Sequence, residues 1–306
     1  AHGGFSTRHV LATAQDIGLA LASKQDFHLV VLSSTVMPGS TGGELLPALE
    51  RTSGKRCRVD FGLCYSPEFI ALGSVIRDLL NPDLVLIGES DPRSGELLAE
   101  FYRGLCEGAP RVHRMNFVNA ELTKLSVNTF LTTKISYANM LAELCERLPG
   151  ADAGVVTAAV GSDTRIGGKY LQSALGYGGP CFPRDNRAFA ALAQRCGISA
   201  PLAQATDEIN RRQVRRVSDL ILSWLPAGGT VAVLGLSYKP DTGVTEESHG
   251  LAIARHLLSC GVRVMVYDPA EMGKGTPDLA GNVAFARSAE ECLREADLVA
   301  ITTPWS

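Results

Sequence analysis

The chain has 306 residues, 45% of them hydrophobic and 20% charged, with a formal charge of −3. That length suits roughly two domains of about 100–200 residues each, and the composition holds no apolar run long enough to span a bilayer. A slightly acidic chain has no bulk attraction to nucleic acid or anionic lipid, and the polar start "AHGGFSTRHV" is no signal stretch, so a cytoplasmic protein acting on small molecules is expected.

The first third alternates strand and helix. "FHLVVLSSTV" (27–36) is a buried strand run stopped by Pro38-Gly39, and "VDFGLCYSPEF" (59–69) is a second, ending at Pro67. "DLVLIGES" (83–90) is a third strand and "DPRSGELLAEFYRGL" (91–105) a helix. Apolar strands alternating with helices predict a parallel, doubly wound sheet. The chain is expected to begin just before a strand, as a fragment of a larger protein.

From about residue 117 the pattern turns helical. In "NAELTKLSVNTFLTTKISYANMLAELCERL" (119–148), Leu122, Leu125, Leu131, Ile135, Leu141, Leu144 and Leu148 recur at helical spacing, and Pro149-Gly150 ends the run. A helix near 30 residues is about 45 Å long, more than a small domain needs, which predicts that it reaches into a dimer interface. Further helices are expected at 151–160, 184–196 and 201–225. The last third is α/β again. It comprises a strand with a glycine turn in "TVAVLGLSYKP" (230–240), a helix through 250–261 and strands at 262–269 and 296–304. Strand, helix and a strand ending in an acid is the rhythm of a nucleotide-binding α/β domain. Asp268 at that strand end suits a hydrogen bond to a ribose; its alternative is a solvent-exposed acid before the Pro269 turn. No G-x-G-x-x-G follows a strand and opens a helix, and Gly176, Gly178 and Cys181 have no strand before them, so no dinucleotide fingerprint is expected there.

Eight cysteines are present, with no CxxC pair and no zinc-like spacing, so no metal is expected and most are ordinary reduced thiols. Cys181, in "GYGGPCFPRD" (176–185), differs from the rest. Pro183 suits the first turn of the next helix, which puts Cys181 at that helix's N-terminus, where the positive end of the dipole favours a thiolate. Gly178 and Gly179 allow close approach of a ligand to the backbone, and Asp185 falls in the first turn. Local physics leaves two readings open, a structural thiol and a nucleophile. Lys124 and Asn128, four apart, share a helix face. They form either a solvated polar stripe or a cation and an amide aimed at a substrate oxygen. Ser34, Thr35 and Glu68 lie at strand ends, where a parallel sheet receives ligands; simple turn chemistry is the alternative for each.

Five segments, in order, resemble the UDP-glucose/GDP-mannose dehydrogenase family of nucleotide-sugar dehydrogenases. "SSTVMPGST" is similar to the family's K-S-T-V-P-x-G-T. "SPEFIALGSVIRDLLNPDLVLIG" is similar to N-P-E-F-L-x-E-G-x-A-x-x-D-x-x-x-P-x-R-V-V-I-G, and "ELTKLSVNTFLTTKISYANMLAELCE" to the central-helix signature E-x-x-K-x-x-x-N-x-F-L-x-x-K-I-S-x-x-N. "GSDTRIGGKYLQSALGYGGPCFPRD" resembles the catalytic block, and "VAVLGLSYKPDTGVTEES" the opening of the sugar-nucleotide-binding domain.

The resemblance implies an α/β fold: two Rossmann-like doubly wound domains, both incomplete, at 1–116 and 228–306, joined by a central all-helical dimerisation and catalytic domain with one long helix at 117–227. It implies NAD-dependent oxidation of a sugar C6 hydroxyl to a carboxylate, with UDP-glucose to UDP-glucuronate as the leading case. Cys181 would form a thiohemiacetal and then a thioester. Lys124 and Asn128 would stabilise the oxyanion; Asp185, Thr35 and Glu68 would position and deprotonate water. Glu68, Phe69, Ile70, Ala71 and Leu72, with Tyr170, Gln172, Ser173, Leu175, Tyr177 and Gly178, would line the sugar nucleotide. Tyr238 and Lys239 would contact the nucleotide, and Arg165 would reach the substrate of the partner in a homodimer. Ser34, Thr35 and Arg184, with Cys181, would lie near NAD.

Two departures bear on these roles. Leu72 replaces a frequent Glu, making that wall less polar, and Glu246 replaces a frequent Arg, placing a carboxylate where phosphates are otherwise met. Without the glycine fingerprint the chain by itself is expected to bind NAD poorly. The competing expectations are a GDP-mannose or UDP-N-acetylhexosamine enzyme, a 3-hydroxyacid or 6-phosphogluconate type with one oxidation and no cysteine, a non-catalytic sugar-nucleotide-binding dimer, and, least favoured, a cysteine hydrolase.

Overall fold

The computed structural model describes residues 3–270, 279 and 283–305. The chain divides into two compact units, 1–127 and 128–306.

The first unit begins with helix α1 (Arg8–Ser23), not with a strand as expected. Its apolar residues Val10, Leu11, Ala14, Ile17 and Leu21 follow helical spacing and join the core. Small residues dilute that stripe, and one of them, Gly18, is where the next helix comes closest: a Cβ there would stand 1.7 Å from Thr52 Oγ1. Strand β1 (His28–Leu32) follows. A π-helical turn, Thr41–Leu45, runs straight into α2 (Leu46–Ser53), which ends at Gly54 with φ +67°. Strand β2 (Phe61–Tyr65) is buried on both faces. Phe61, Leu63 and Tyr65 pack with Leu49 of α2, while Cys64 packs with Leu98 and Ala99. Short α3 (Val75–Leu80), β3 (Val85–Glu89), α4 (Pro92–Leu105) and β4 (Val112–Met115) complete the α/β part. Asp91 caps α4 by accepting from the N–H groups of Arg93 and Ser94.

The sheet order is β1-β2-β3-β4. β1 pairs with β2 and β3 with β4 in parallel, but β2 and β3 meet antiparallel through Cys64↔Glu89 and Tyr65↔Gly88. The wholly parallel expectation is corrected at this join. A parallel return needs a helix packed across the sheet, and α3, six residues long, buries none of them.

Helix α5 (Phe117–Cys145) is 29 residues long and passes from the first unit into the second. The second unit continues with α6 (Ala153–Ser162), α7 (Phe182–Arg195) and α8 (Pro201–Trp224). Its α/β part is β5 (Thr230–Leu234), α9 (His249–Ser259), β6 (Arg263–Tyr267), β7 (Ala284–Phe285), α10 (Ala289–Glu295) and β8 (Leu298–Ile301). These strands form an all-parallel sheet ordered β7-β6-β5-β8. Val231, Val233, Ile253, Leu257 and Val266 make its main core. Gly250 lets the first turn of α9 touch the turn after β5, since a Cβ would lie 2.2 Å from the Gly235 carbonyl oxygen.

Asp268 follows neither expected reading. It is buried, and its carboxylate accepts from the N–H groups of Leu236 (2.7 Å), Ser237 (2.8 Å) and Ala270 (2.9 Å). It closes the glycine turn after β5 from within, and Trp305 Nε1 also donates to its Oδ2 at 3.4 Å, so its oxygens are committed within the protein. No helix among the described residues is long and apolar enough to cross a membrane.

Candidate functional site

In the second unit the chemistry gathers at the start of α7. Cys181 is the N-cap residue and is exposed; Pro183 sits in the first turn, as its fixed φ and missing N–H favour. One turn on, Asp185 N–H donates to the Cys181 carbonyl oxygen at 2.8 Å. The Asp185 side chain is fully buried. Asn128 Nδ2 on α5 donates to its Oδ2 at 2.6 Å, and Arg184 Nε lies 3.3 Å from its Oδ1. Burying a carboxylate is costly unless it has such partners. Asn128, expected beside Lys124 on one polar stripe, is thus engaged with Asp185.

In the first unit Lys124 is also buried. Its Nζ donates to the Glu68 carbonyl oxygen at 2.6 Å and stands 4.2 Å from the centroid of the Phe69 ring. Phe69 packs on the core, while Glu68, Ile70, Ala71 and Leu72 are exposed. That segment is held by Asp78, which accepts from Ala71 N–H (3.0 Å) and Ser74 Oγ (2.6 Å). The Ser74 hydrogen bond leads the contributions holding its carboxyl below the usual carboxylate range. Ser34 is exposed and Thr35 half-buried at the carboxyl end of β1. Fully buried Glu121 accepts from the N–H groups of Gly39 (2.6 Å) and Thr41 (2.8 Å), fastening the same loop to α5. Asp78 and Glu121 escaped the reading of single residues. The E-x-x-K spacing that joins Glu121 to Lys124 was the available signal.

The remaining expected residues divide by exposure. Gln172 and Ser173 are open to solvent, and exposed Tyr170, at φ +63°, packs edge-on to Phe182. Arg165 is exposed and pairs with Asp163 in its own loop at 2.6 Å. Leu175 is half-buried against the core, and Tyr177 is only 2% exposed, so the Tyr177 side chain is withdrawn from solvent. Burial leads in pushing the Tyr177 hydroxyl far above its ordinary value. Asn210 holds its backbone twice, accepting from Tyr177 N–H at 2.8 Å and donating to its carbonyl oxygen at 2.9 Å.

Gly178 and Gly179 serve a different purpose from the expected one. A Cβ at Gly178 would lie 2.5 Å from the Glu247 carbonyl oxygen, and one at Gly179 2.6 Å from the Tyr238 ring. The close approach they permit is to another loop of the same unit. Lys239 Nζ stands 5.9 Å from the Tyr238 ring centroid, and Glu246 is exposed.

Three family profiles match this chain in order. They are the UDP-glucose/GDP-mannose dehydrogenase family NAD binding domain over 2–106, the central domain over 118–212 and the UDP binding domain over 232–306. The UDP-glucose 6-dehydrogenase AglM of Haloferax volcanii is 38% identical over 298 residues, which cover 95% of this chain and 68% of that protein. TuaD of Bacillus subtilis, a UDP-glucose 6-dehydrogenase, is 33% identical, with 97% and 63% covered. A UDP-glucose dehydrogenase structure from Pyrobaculum islandicum superposes with TM-score 0.90 at 37% identity, covering 99% of this chain and 69% of that one. A UDP-D-ManNAc dehydrogenase from Pyrococcus horikoshii gives 0.81 at 25% identity, covering 98% and 68%. The chain therefore spans 63–68% of the length of these two curated relatives.

Proposed function

Because the chain belongs to the UDP-glucose/GDP-mannose dehydrogenase family, we propose that it carries the machinery for oxidising the C6 hydroxyl of a nucleotide sugar to a carboxylate, with UDP-glucose as substrate. One observation carries this most directly: an exposed thiol at a helix N-terminus, one turn from a fully buried, partnered carboxylate.

The matched NAD-binding domain makes NAD the cofactor. The hydroxyls of Ser34 and Thr35, at the carboxyl end of β1, fit its uncharged ribose–nicotinamide part, and Arg184 supplies a cation. The N–H groups of Gly39 and Thr41 are already taken by Glu121, so they make no phosphate cradle. When bound, NAD⁺ accepts a hydride at each of two oxidations.

Cys181 Sγ bonds to the carbon of the aldehyde stage, which keeps the aldehyde from leaving and converts it to a thiohemiacetal; after the second oxidation the resulting thioester is opened by water. Lys124 stabilises negative charge on the reacting oxygen, and Asn128 contributes through its amide and through its hold on Asp185. Asp185, with Thr35 and Glu68, positions and deprotonates the water. Glu68–Leu72, Tyr170, Gln172 and Ser173 border the sugar nucleotide, Tyr238 and Lys239 meet the nucleotide, and Leu175, Tyr177 and Gly178 act through the backbone they fix.

The three-domain division at 1–116, 117–227 and 228–306 goes with this reading, as does a cytoplasmic location, where sugar nucleotides and NAD are available. A homodimer through the long helix is supported by Phe130, Tyr137, Met140 and Leu144, all exposed on α5, with Arg165 reaching the partner's substrate. The test is turnover of a panel of sugar nucleotides, counting NADH per sugar oxidised. Two NADH with UDP-glucose are expected, and Cys181→Ala, which has no thiol to carry the aldehyde into the second oxidation, is expected to form no carboxylate product. Full activity of Cys181→Ala defeats the proposal, one NADH per substrate favours the single-oxidation type, and preference for GDP-mannose or a UDP-N-acetylhexosamine reassigns the sugar.

A further inference from the structure

The turn that delivers Cys181 has little structure of its own. Residues 176–180 belong to no helix or strand, and the thiol at the end is exposed. Its position is set by what grips the turn. On one side Asn210 of α8 holds Tyr177 by both backbone groups. On the other side lies the 238–247 loop. Gly179 N–H donates to the Glu246 carbonyl oxygen at 3.0 Å, and Arg187 of α7 pairs with Glu247 at 2.9 Å. Tyr238 N–H donates to the Val244 carbonyl oxygen at 2.9 Å, closing that loop on itself. The Tyr238 ring fills the space left by the missing side chain of Gly179. A Cβ on Gly179, which has φ +80°, would stand 2.6 to 2.9 Å from three of its ring carbons, and one on Gly178 would stand 3.2 Å from its Cβ.

We propose that Tyr238 is a positioning residue for Cys181: its ring, seated against Gly179, with its Cβ beside Gly178, holds the turn that sets the thiol at the N-terminus of α7. Tyr238 is then more than a nucleotide contact. The loop it opens carries Lys239, so the nucleotide-contact loop and the nucleophile turn form one packed body, and the placement of the loop is passed to the thiol through a ring on Gly179. Tyr238 also lies near enough to Cys181 for the thiolate's charge to add to burial in raising the phenol above its ordinary value. The inference deepens the reading of Cys181 as nucleophile and rests on it only for its catalytic meaning.

The test needs no substrate. Iodoacetamide alkylation of each cysteine in the whole chain is followed by peptide mass mapping in the wild type, Tyr238→Ala and Tyr238→Phe. Cys196 and Cys260, exposed at the C-terminal ends of α7 and α9, are internal controls. Removing the ring frees the turn to open locally, and Cys181 is expected to react about tenfold faster. Tyr238→Phe keeps the ring and is expected to restore the wild-type rate. Acceleration below about threefold, equal acceleration at Cys196 and Cys260, or a Tyr238→Phe rate matching Tyr238→Ala overturns the proposal. A chain without dehydrogenase activity whose Cys181 rate depends on the ring would sink the functional reading and leave this one standing.

Discussion

Cys181 and Asp185, four residues apart, live in opposite environments: the thiol meets solvent and the carboxylate meets none. Helix periodicity places them one turn apart but does not say which side is covered. Asp185→Asn keeps the shape and an acceptor for Asn128 while removing the charge, so the fold is expected to survive and kcat to fall by roughly a hundredfold. A kcat within threefold of wild type in steady-state assays would remove Asp185 from the water-handling role. The buried thiol Cys64 supplies a pH test. Burial leads in pushing it up to about 12, and the charges of Glu89 and Asp91 add to it. The folded chain holds this proton where an unfolded one releases it. The stabilisation is therefore complete below the ordinary thiol value of about 8.5 and is lost as pH rises toward 12. Alkylation at pH 9 is expected to label Cys181, Cys196 and Cys260 and to spare Cys64; labelling of Cys64 at the rate of the others would contradict its burial.

At the scale of elements, apolar patterning locates what it can measure. The expected strand at 83–90 is β3 at Val85–Glu89, and the expected helix at 201–225 is α8 at Pro201–Trp224. Helix α1 was missed because Ala14 and Gly18 stand where the stripe needed bulk; the missing volume is filled by α2. Glycines of this kind are legible only with the partner in view. Gly250 opens α9, where helix propensity alone favours Ala by about 1 kcal/mol. Its Cβ would meet the Gly235 carbonyl oxygen, which no side-chain rotation can move. Gly250→Ala is expected to destabilise the chain by about 1–3 kcal/mol in urea titration. A stabilised variant would show that the contact relaxes without cost.

For the whole molecule, Phe130, Tyr137 and Leu144 recur every seven residues on α5 and are 63%, 45% and 52% exposed. A stripe of that period suits a second helix, and a carboxylate inside it costs more than its volume suggests. If the proposed homodimer forms through this stripe, the wild type is dimeric and Tyr137→Glu monomeric in light scattering. A monomeric wild type would defeat the proposed homodimer, and an unchanged dimer in the variant would place the association elsewhere. By itself the sequence determined six of the strands, the long helix and the helices around it, though not α1, and named candidate residues for chemistry, because periodicity, caps and motif order are local properties of a chain. Only the tertiary structure decided that Asp268 binds the backbone of its own turn, that Tyr177 is core, that β2 and β3 run antiparallel, and that Gly179 before Cys181 receives the Tyr238 ring. Each of these depends on what a distant segment brings within a few ångströms, and no local pattern encodes that.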